Sequence, residues 1–483
     1  MSLYKKTVNG LKWSFIGTFG NILIQIISGV VLARLLRPSD FGLYAMVFAV
    51  LVISRSVIDS GLYQALIQKK NATLIDFSLV FHFNLFISIF ISSLLFVFSS
   101  KIESFYDQEG ISTFVKFISM LVLIEAFSLI QRASLIKNIR FDTITKIEVT
   151  AKLISLITSI FMAYSGFGVW SLLFKDLLFS LLTTLMYWII NPVKILLDVP
   201  YKKIKELYSF GIKVFIADQI ETISNQFAQI IVGKKFTASD LGFFNKAEEL
   251  QQLISQVSIV SINKVMFPSF VQIQNDDDKL RNKYRFLVET SMFVLFPLLF
   301  LSILTANEMI EIVLGPQWVN SVFYFQLLCI SGMFYPFTVY NLNIIKVKGK
   351  GALYLKTCTV SKGLLIPIIL ISINYGVKGL VIGLVFQRLF AALINSYHSG
   401  KLVGYSTFSQ VKGVSLSFLI SFAIFLFMFS FKKYYFNNFS MYFNFFFFSI
   451  GFIILYTIST FKFQKEKMGP IIELKKSFFN KNN

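Results

Sequence analysis

Ionisable side chains inside long apolar segments are the residues of this sequence that could do chemistry. In the segment 211–234, Asp218, Glu221 and Asn225 recur at helical spacing, so they share one face of the helix. A charge at the centre of a membrane costs roughly 3 kcal/mol on insertion scales. Such a face is stable only where it looks into protein or into a water-filled cavity. The pattern therefore predicts a polar interior, and it makes these groups candidates for a functional site.

Buried cations form a second set of candidates. Arg55 and Asp59 are four residues apart on one helix face, which is compatible with an internal ion pair and equally with charges that line a cavity. Lys175 and Asp176 could form a local pair near the centre of a span. Arg388 has no acid nearby in sequence, which makes it the best candidate for binding an external anion. The other ionisable candidates inside apolar segments are Glu125, Lys213, Glu248, Glu249 and Lys362.

Motifs of soluble enzymes and of metal sites are missing from the sequence. It has no G-x-x-x-x-G-K-[ST], H-E-x-x-H or G-x-S-x-G pattern. His82 and His398 each stand alone on a mostly apolar helix, and the cysteines, Cys329 and Cys358, lie in apolar spans or at their edges. We therefore predict no catalytic residue, no metal ligand and no bound cofactor.

The elements that must position these residues are membrane-spanning helices. Of the 483 residues, 55% are hydrophobic and only 15% are charged, whereas soluble domains carry about 25% charged residues. The N-terminal apolar stretch is too long for a signal peptide, so we interpret it as the first span. The composition and the apolar runs predict an all-α membrane protein with about fourteen spans, each near the ~20 residues that a crossing helix needs. The predicted spans are 11–33, 41–66, 77–99, 112–134, 147–165, 168–190, 211–234, 241–266, 286–307, 319–343, 353–373, 377–398, 413–431 and 439–461.

The positive charge is distributed as a topology signal. The net charge is +21, and most of the 46 Lys and Arg residues fall in alternate loops and in the C-terminal tail. Cytoplasmic loops hold the excess of Lys and Arg in membrane proteins, so the pattern predicts that both termini are cytoplasmic. The charge thus indicates contact with anionic lipid headgroups and gives no reason to expect a nucleic-acid partner.

The chain also contains an internal repeat with an offset of 200 residues. Residues 15–44 align without gaps on residues 215–244, and both segments end in an S-D-x-G turn. In the first turn, Pro38 is expected to end one helix, Asp40 to cap the next, and Gly42 to permit close backbone approach. The repeat predicts two pseudo-symmetric six-helix bundles, at 1–200 and 201–405, and then two additional helices and a basic cytoplasmic tail at 406–483. The aligned pairs include Asn21 with Glu221, Gln25 with Asn225, Asp40 with Asp240, and Gly42 with Gly242.

Several segments together resemble the polysaccharide-transporter branch of the multidrug/oligosaccharidyl-lipid/polysaccharide exporter superfamily. They read LKWSFIGTFGNILIQIISGVVLARLLRPSDFGLY, SGLYQALIQKK, FTASDLGFFNKAEELQQL, MFPSFVQIQNDDDKLRNKY and LGPQWVNSVFYFQLL. The resemblance covers roughly residues 1–410 and is greatest to O-antigen and exopolysaccharide flippases of lipopolysaccharide biosynthesis.

The resemblance implies two bundles that face each other in a V, in the bacterial inner membrane. It implies that an undecaprenyl-pyrophosphate-linked oligosaccharide is moved to the outer leaflet by alternating access, driven by a proton or sodium gradient. Membrane lipids and polysaccharide polymerase or assembly proteins are the other expected partners. No family motif identifies the individual site residues, so we select them by polarity and helix face. We predict substrate binding by Arg55, Arg388, Lys175, Lys213, Lys362, Asn21, Gln25 and Asn225, and ion coupling by Asp59, Asp218 and Glu221.

Three alternatives remain open from the sequence. A cation-coupled multidrug exporter of the same superfamily would favour an acidic and aromatic cavity over this many buried cations. A membrane enzyme of polysaccharide assembly, such as a polymerase or ligase, would need a large outer loop, and the predicted outer loops are short. A scaffold for an assembly complex would leave the buried charges without a purpose.

Overall fold

Helices account for the fold throughout the part of the chain that the structure describes, and no strand occurs there. The computed structural model describes residues 3–58, 62–69, 71–199, 204–435 and 439–464. It divides into two compact units, residues 1–245 and 246–483. The predicted domain boundaries at 200 and 405 stay predictions, because they concern the repeat and not the compactness of the units.

The helices of the first unit are α1 (Leu3–Leu35), α2 (Pro38–Ile58), α3 (Leu62–Gln68), α4 (Leu74–Tyr106), α5 (Ile111–Ala126), α6 (Leu129–Lys137), α7 (Phe141–Tyr164), α8 (Val169–Ile190) and α9 (Ile204–Lys235). Helix α4 packs along α5, α1 packs against α7, α7 against α8, and α2 against α9. The helices bury several small side chains, which let membrane helices approach closely.

Helix α10 (Ala238–Gln272) begins in the first unit and continues into the second. The other helices of the second unit are α11 (Asp277–Leu304), α12 (Ala306–Val313), a 3-10 helix (Pro316–Ser321), α13 (Val322–Gly332), α14 (Tyr335–Val347), α15 (Gly351–Gly363), α16 (Leu365–Ser372), a 3-10 turn (Ile373–Tyr375), α17 (Gly376–Val403), α18 (Thr407–Tyr435) and α19 (Met441–Phe463). Helix α11 packs on α18, and α17 is flanked by α13, α14 and α16.

Each of the fourteen predicted spans corresponds to one, two or three consecutive helical elements among the described residues. Among the described residues, 11 helical stretches are long and apolar enough to cross a membrane, and the stretch Gly351–Val403, with 53 residues, contains two predicted spans. Helices α9 and α10 have 32 and 35 residues but lie outside that set. The prediction of an all-α membrane protein with about fourteen spans is confirmed. Helices α9 and α10 are long enough to cross a membrane but are more polar than the other spans, as the ionisable residues of the segments 211–234 and 241–266 indicate.

The two S-D-x-G turns touch each other inside the first unit. The carboxylate of Asp40 accepts a hydrogen bond from the Arg37 N–H (2.9 Å), and that of Asp240 accepts one from the Thr237 N–H (3.2 Å). A Cβ atom added to Gly42 would lie 1.7 Å from the carbonyl oxygen of Ala238. Reciprocally, a Cβ atom on Gly242 would lie 1.9 Å from the carbonyl oxygen of Pro38. The expected close backbone approach is therefore confirmed, and each glycine makes room for the other turn. The helix start was predicted too late, because α2 begins at Pro38, and Asp40 lies in its first turn and bonds back to the N–H of Arg37.

A buried polar cluster ties four helices of the second unit together. Asn341 on α14 accepts a hydrogen bond from the Tyr284 hydroxyl of α11 (2.6 Å) and another from Ser399 of α17. Its amide donates to Gln410 of α18 (3.1 Å). Asn341, Ser399 and Gln410 are fully buried, so these bonds satisfy polar groups that would otherwise destabilise the fold.

The last two helices carry the large aromatic side chains that were expected to meet lipid. Phe427 of α18 and Phe446 of α19 are more than half exposed, and the rings of Phe418 and Phe422 stack at 5.8 Å. The Tyr456 hydroxyl of α19 donates to the Phe293 carbonyl of α11 (2.7 Å), which anchors the pair to the rest of the unit.

Candidate functional site

The fourth predicted span is broken near its middle. Between α5 and α6, the Phe127 N–H bonds to the carbonyl of Ile124 at 3.2 Å, a three-residue spacing in place of the four-residue spacing of an α-helix. Two side chains one turn apart on α8 bond to the carbonyls at the break: Thr184 to Ile124 (3.3 Å) and Trp188 to Phe127 (3.0 Å). Broken spans are typical of sites in transporters, because a break brings polar backbone into the membrane interior.

An ion pair joins this break to α2. Arg55 donates from Nε to Glu125 Oε2 at 2.7 Å and from Nη2 to the other carboxylate oxygen. The two side chains remain 31% and 24% exposed, so the pair is accessible from outside the unit's core. The structure thus gives Arg55 a partner that is 70 residues away in sequence. Asp59, the neighbour considered from spacing, lies outside the described residues.

A second polar contact lies further along α2. The Tyr44 hydroxyl donates to Asp176 Oδ2 at 2.6 Å, and Lys175 Nζ lies 5.8 Å from the centre of the Tyr44 ring. Asp176 is therefore held by a tyrosine, and Lys175 lies over the aromatic face of that same tyrosine. Arg55 also interacts electrostatically with Asp176, so both contacts belong to one charged region of the first unit.

The charged region extends to α1 and α7. Lys152 of α7 donates to the Asn21 side chain of α1 at 3.1 Å and interacts electrostatically with Lys175 and Asp176. On the same helix, Glu148 pairs with Arg132 at 3.2 Å. This region contains four cations, Arg55, Arg132, Lys152 and Lys175, and three carboxylates, Glu125, Glu148 and Asp176. It therefore has one positive charge in excess, which suits an anionic ligand.

The polar face predicted on α9 is exposed. Asp218, Glu221 and Asn225 are all exposed, as are Ile216 (47%) and Ile223 (46%) on the opposite face of the helix. Between these faces, Gln219 accepts a hydrogen bond from Ser56 of α2 at 2.9 Å. Helix α9 thus packs on α2 through one side and presents a polar face and an apolar face separately.

The second unit has a corresponding break with a cation beside it. Between α13 and α14, the Phe334 N–H bonds to Ser331 at 3.2 Å, again with three-residue spacing. Tyr335 begins α14, and the guanidinium carbon of Arg388 on α17 lies 5.6 Å from the centre of its ring. Among the described residues Arg388 forms no ion pair, as its isolation in sequence predicted. Binding of an external anion by Arg388 stays a prediction.

The remaining predicted site residues are placed as follows. Gln25 lies half-buried on α1, and Lys362 is half-buried near the end of α15. The side chain of Lys213 falls outside the described part of the chain, like Asp59. None of the site assignments is tested by these positions, so the roles of these residues stay predictions. No group of three or more metal-ligating side chains occurs among the described residues.

Sequence reasoning missed two residues of the charged region. Lys152 lies near the start of the predicted span 147–165 and was not among the candidate site residues. Helix α7 begins at Phe141, which places Lys152 about 16 Å along its axis. Tyr44 was considered only as part of a turn. The spacing of Glu148 and Lys152, one helical turn apart, was the signal that could have identified this face.

Comparison with known proteins agrees with this architecture. Residues 31–323 match the family described as "Polysaccharide biosynthesis protein". The chain is 25% identical over 360 residues to the teichuronic acid biosynthesis protein TuaB of Bacillus subtilis, covering 73% of each chain. It is 22% identical over 416 residues to the lipopolysaccharide biosynthesis protein WzxC of Escherichia coli, covering 85% of this chain and 84% of WzxC.

A solved structure of the lipid II flippase MurJ, in an inward closed conformation, has the same fold. The two superpose with a TM-score of 0.76 at 14% identity, covering 94% of this chain and 99% of MurJ. The fold is therefore that of the exporter superfamily which the sequence resembles. Since the family match spans more than half of its residues, this multi-pass membrane protein belongs to the polysaccharide biosynthesis protein family.

Proposed function

We propose that this protein is a flippase which moves a glycan linked to undecaprenyl pyrophosphate from the inner to the outer leaflet of the bacterial inner membrane. The observation that carries the proposal is that one chain combines the polysaccharide biosynthesis family match with the fold of a flippase for lipid II. WzxC and TuaB, whose names place them in the synthesis of surface polysaccharides, support the same substrate class.

The charged groups of both units fit the headgroup of such a substrate. A pyrophosphate needs cations and hydrogen-bond donors, and Arg offers a planar fork of donors that matches phosphate oxygens. In the proposal, Arg55, Arg388, Lys175, Lys213 and Lys362 bind the pyrophosphate. Asn21, Gln25 and Asn225 provide hydrogen bonds to sugar or water. The lipid tail stays in the bilayer, so only the headgroup requires a polar path.

Alternating access driven by an ion gradient completes the proposal. Asp218 and Glu221 are exposed carboxylates on a membrane-length helix, where they have a use only if they face water or an ion path. They and Asp59 would bind the coupling proton or sodium ion. The distribution of Lys and Arg supports cytoplasmic termini. Polysaccharide polymerase and assembly proteins would receive the flipped glycan.

The test of substrate binding is flipping of a lipid-linked oligosaccharide in vesicles that contain the purified protein. Arg388→Gln should slow flipping strongly at unchanged protein level. The matched control is Lys401→Gln, which also removes a cation from a tyrosine ring, here Tyr397 at 4.3 Å. Unchanged flipping by Arg388→Gln would remove Arg388 from the site.

The gradient is tested in the same vesicles. With a proton or sodium gradient imposed, Asp218→Asn and Glu221→Gln should flip at a rate that no longer responds to it. A response equal to that of the wild type would make both carboxylates structural.

Two outcomes would favour the alternatives. Export of a cationic dye without any effect on lipid-linked glycan would identify a drug exporter. Formation of longer glycans by the purified protein would identify a polymerase. In cells, loss of the protein should cause the lipid-linked repeat unit to accumulate on the cytoplasmic side.

A further inference from the structure

The ion pair between Arg55 and Glu125 has the geometry of an arginine bound to phosphate. Two nitrogens of one guanidinium point at two oxygens of one anion, which is the arrangement that Arg also forms with phosphate groups. Both side chains are about a quarter to a third exposed, so another anion can approach Arg55 without unfolding the unit. Glu125 therefore holds the positions on Arg55 that two phosphate oxygens would take.

The Glu125 side chain also lies at a position from which it can move away from Arg55. Glu125 is the second-last residue of α5, and its carbonyl accepts bonds from the backbone and the hydroxyl of Ser128 at 3.0 and 2.9 Å. The backbone of the break is thus held by Ser128 and by α8, independently of the Glu125 side chain. The side chain can change rotamer while the break keeps its shape.

We propose that Glu125 is an internal substitute for the substrate's phosphate: it neutralises Arg55 in the empty protein and is displaced when an anionic lipid headgroup binds. This inference rests on the proposed function and adds to it the residue that controls access to Arg55. Arg55 keeps its proton throughout. The displaced carboxylate, left without its cation in a membrane interior, takes one proton from water, because an unpaired charge there is costly.

This exchange has a defined direction. Binding of the anion and uptake of the proton occur together, so headgroup binding becomes tighter as the pH falls. Because Glu125 holds the proton for as long as the substrate is bound, proton and substrate move in the same direction. The Arg55–Glu125 pair therefore cannot exchange an incoming proton for an outgoing lipid. That task stays with the carboxylates proposed for coupling, and Glu125 serves to keep Arg55 from binding stray anions.

Other titratable groups near the pair must be separated from it in the experiment. Helix α2 itself contributes Tyr44, and α8 contributes Lys175 and Asp176, which interact with Tyr44. Helix α9, which packs on α2, carries Asp218 and Glu221, and the variants Asp218→Asn and Glu221→Gln described above separate their protonation from that of Glu125. On α4 the ring of Phe81 contacts both His82 and Phe127, so His82 is a second possible proton acceptor. The other charged groups on the packed helices are Asp76, held by Lys69, Glu103, bonded to the Ser112 N–H, Lys101, Lys116, and Arg132, paired with Glu148.

The experiment measures binding of a pyrophosphate diester, farnesyl methyl pyrophosphate, to the purified full-length protein by calorimetry. Like the proposed substrate, and unlike free farnesyl pyrophosphate, this diester has no phosphate group that titrates near neutral pH. Farnesol and dimethyl pyrophosphate serve as separate probes for the lipid and the anion alone. Titration in two buffers of different ionisation enthalpy counts the protons taken up. We expect the wild type to take up about one proton per bound farnesyl methyl pyrophosphate and to bind it about tenfold more tightly for each unit that the pH falls near neutrality.

Variants locate the proton. Glu125→Gln should bind at least about tenfold more tightly at neutral pH, with no proton uptake and no pH dependence, because the competing carboxylate is gone. His82→Gln should behave as the wild type. Glu308→Gln, which removes a carboxylate from the Lys432 ion pair (2.8 Å) of the second unit, is the matched control and should also leave binding unchanged.

The outcomes decide between the two proposals. If wild-type vesicles flip lipid-linked glycan but binding takes up no proton, or if Glu125→Gln binds no more tightly, the proposed role of Glu125 is wrong and the flippase function stands. If the protein does not flip the glycan but binds the pyrophosphate with proton uptake that Glu125→Gln abolishes, the flippase function is wrong and the role of Glu125 stands. Should Glu125→Gln fail to fold, the proton count of the wild type and of His82→Gln still decides.

Discussion

Substitution of Gly42 by alanine tests whether the contact between the two repeated turns is as close as the structure shows. The added methyl group would lie 1.7 Å from the carbonyl oxygen of Ala238, whereas carbon and oxygen atoms approach comfortably at about 3.3 Å. The two turns must therefore separate by roughly 1.6 Å. The obstacle is backbone of a capped helix end, so it cannot rotate away as a side chain would.

The expected cost follows from the same geometry. Overpacking of a core usually destabilises by about 1–3 kcal/mol, and a backbone obstacle puts Gly42→Ala at or above the top of that range. In detergent, the midpoint of thermal unfolding should fall by roughly 3–6 °C, the smaller value if the whole chain unfolds together and the larger if the first unit unfolds alone. Gly242→Ala should cost a similar amount, since its methyl group would lie 1.9 Å from the carbonyl of Pro38. Because either methyl group forces the same separation, the double variant should lose much less than the sum of the single losses.

Two control variants make the test specific. Gly363→Ala adds a methyl group with nothing within 4 Å, so it should be neutral or stabilise α15 by up to about 1 kcal/mol. Gly17→Ala meets the Thr145 hydroxyl at 2.6 Å, a side chain that can rotate, and should have an intermediate effect. If Gly42→Ala melted at the same temperature as Gly363→Ala, the close approach of the turns would be refuted. If the stability losses of Gly42→Ala and Gly242→Ala added up in the double variant, direct contact between the turns would be refuted.

Three further predictions concern stability. Asn341→Leu should destabilise by several kcal/mol, about 1–3 for each buried partner it leaves unsatisfied. Ser415→Ala should not, because Ser415 is half-buried on α18 and its hydroxyl bonds to the Lys412 carbonyl of the same helix; equal melting points would contradict the role of the buried cluster. Glu308→Gln should lower the melting point because it leaves Lys432 partly buried without its carboxylate, and Lys432→Met with Glu308→Gln should recover part of the loss; no recovery would show that the pair does not act as a unit. The side-chain and backbone bonds that Asp276 accepts from Lys279 lower the pKa of that carboxyl below its usual 3.8, so its contribution to α11 is complete above the unfolded pKa and is lost as the pH falls through the lowered value. In carbon-13 NMR of this carboxyl, Lys279→Ala should raise the pKa above that of the wild type but leave it below the usual value, because the backbone N–H of residue 279 still donates; an unchanged pKa would contradict the role of the Lys279 side chain.

The helices were predictable from sequence, but their breaks were not. Long apolar runs fixed the existence of every span, including the polar α9 and α10, because length and helical spacing are local properties. The break at Phe127 lies in a run of apolar residues that only Glu125 and Ser128 interrupt nearby, and it depends on Thr184 and Trp188 of another helix. Only packing between helices decides where such carbonyls find donors.

The turns show the opposite case. Gly42 was interpreted correctly, and Asp40 was assigned to the right helix end, although α2 already begins at Pro38. A turn and a close approach leave a signature within a few residues, which the repeat then shows a second time. The partner of Arg55 was not predictable in this way. Glu125 is 70 residues distant, and only the rotation and depth of α2 and α5 bring the two side chains together. Lys152 was missed for a simpler reason. The predicted span begins at residue 147, whereas α7 begins at Phe141, so the depth of Lys152 along the helix was underestimated.

Helix α9 offers the most direct test of a water-filled path, because its two exposed faces make opposite predictions. Asn225 lies on the polar face, and Ile223 is 46% exposed on the apolar face at almost the same depth. In a membrane, an exposed isoleucine is stable against lipid, whereas an exposed face that also carries Asp218 and Glu221 is stable only against water. With Cys358 replaced by serine and the buried Cys329 left in place, Asn225→Cys should react with a charged, membrane-impermeant thiol reagent in vesicles, and Ile223→Cys should not. Equal reactivity at the two positions would mean that α9 does not separate lipid from water, and the exposed carboxylates of α9 would then need another explanation.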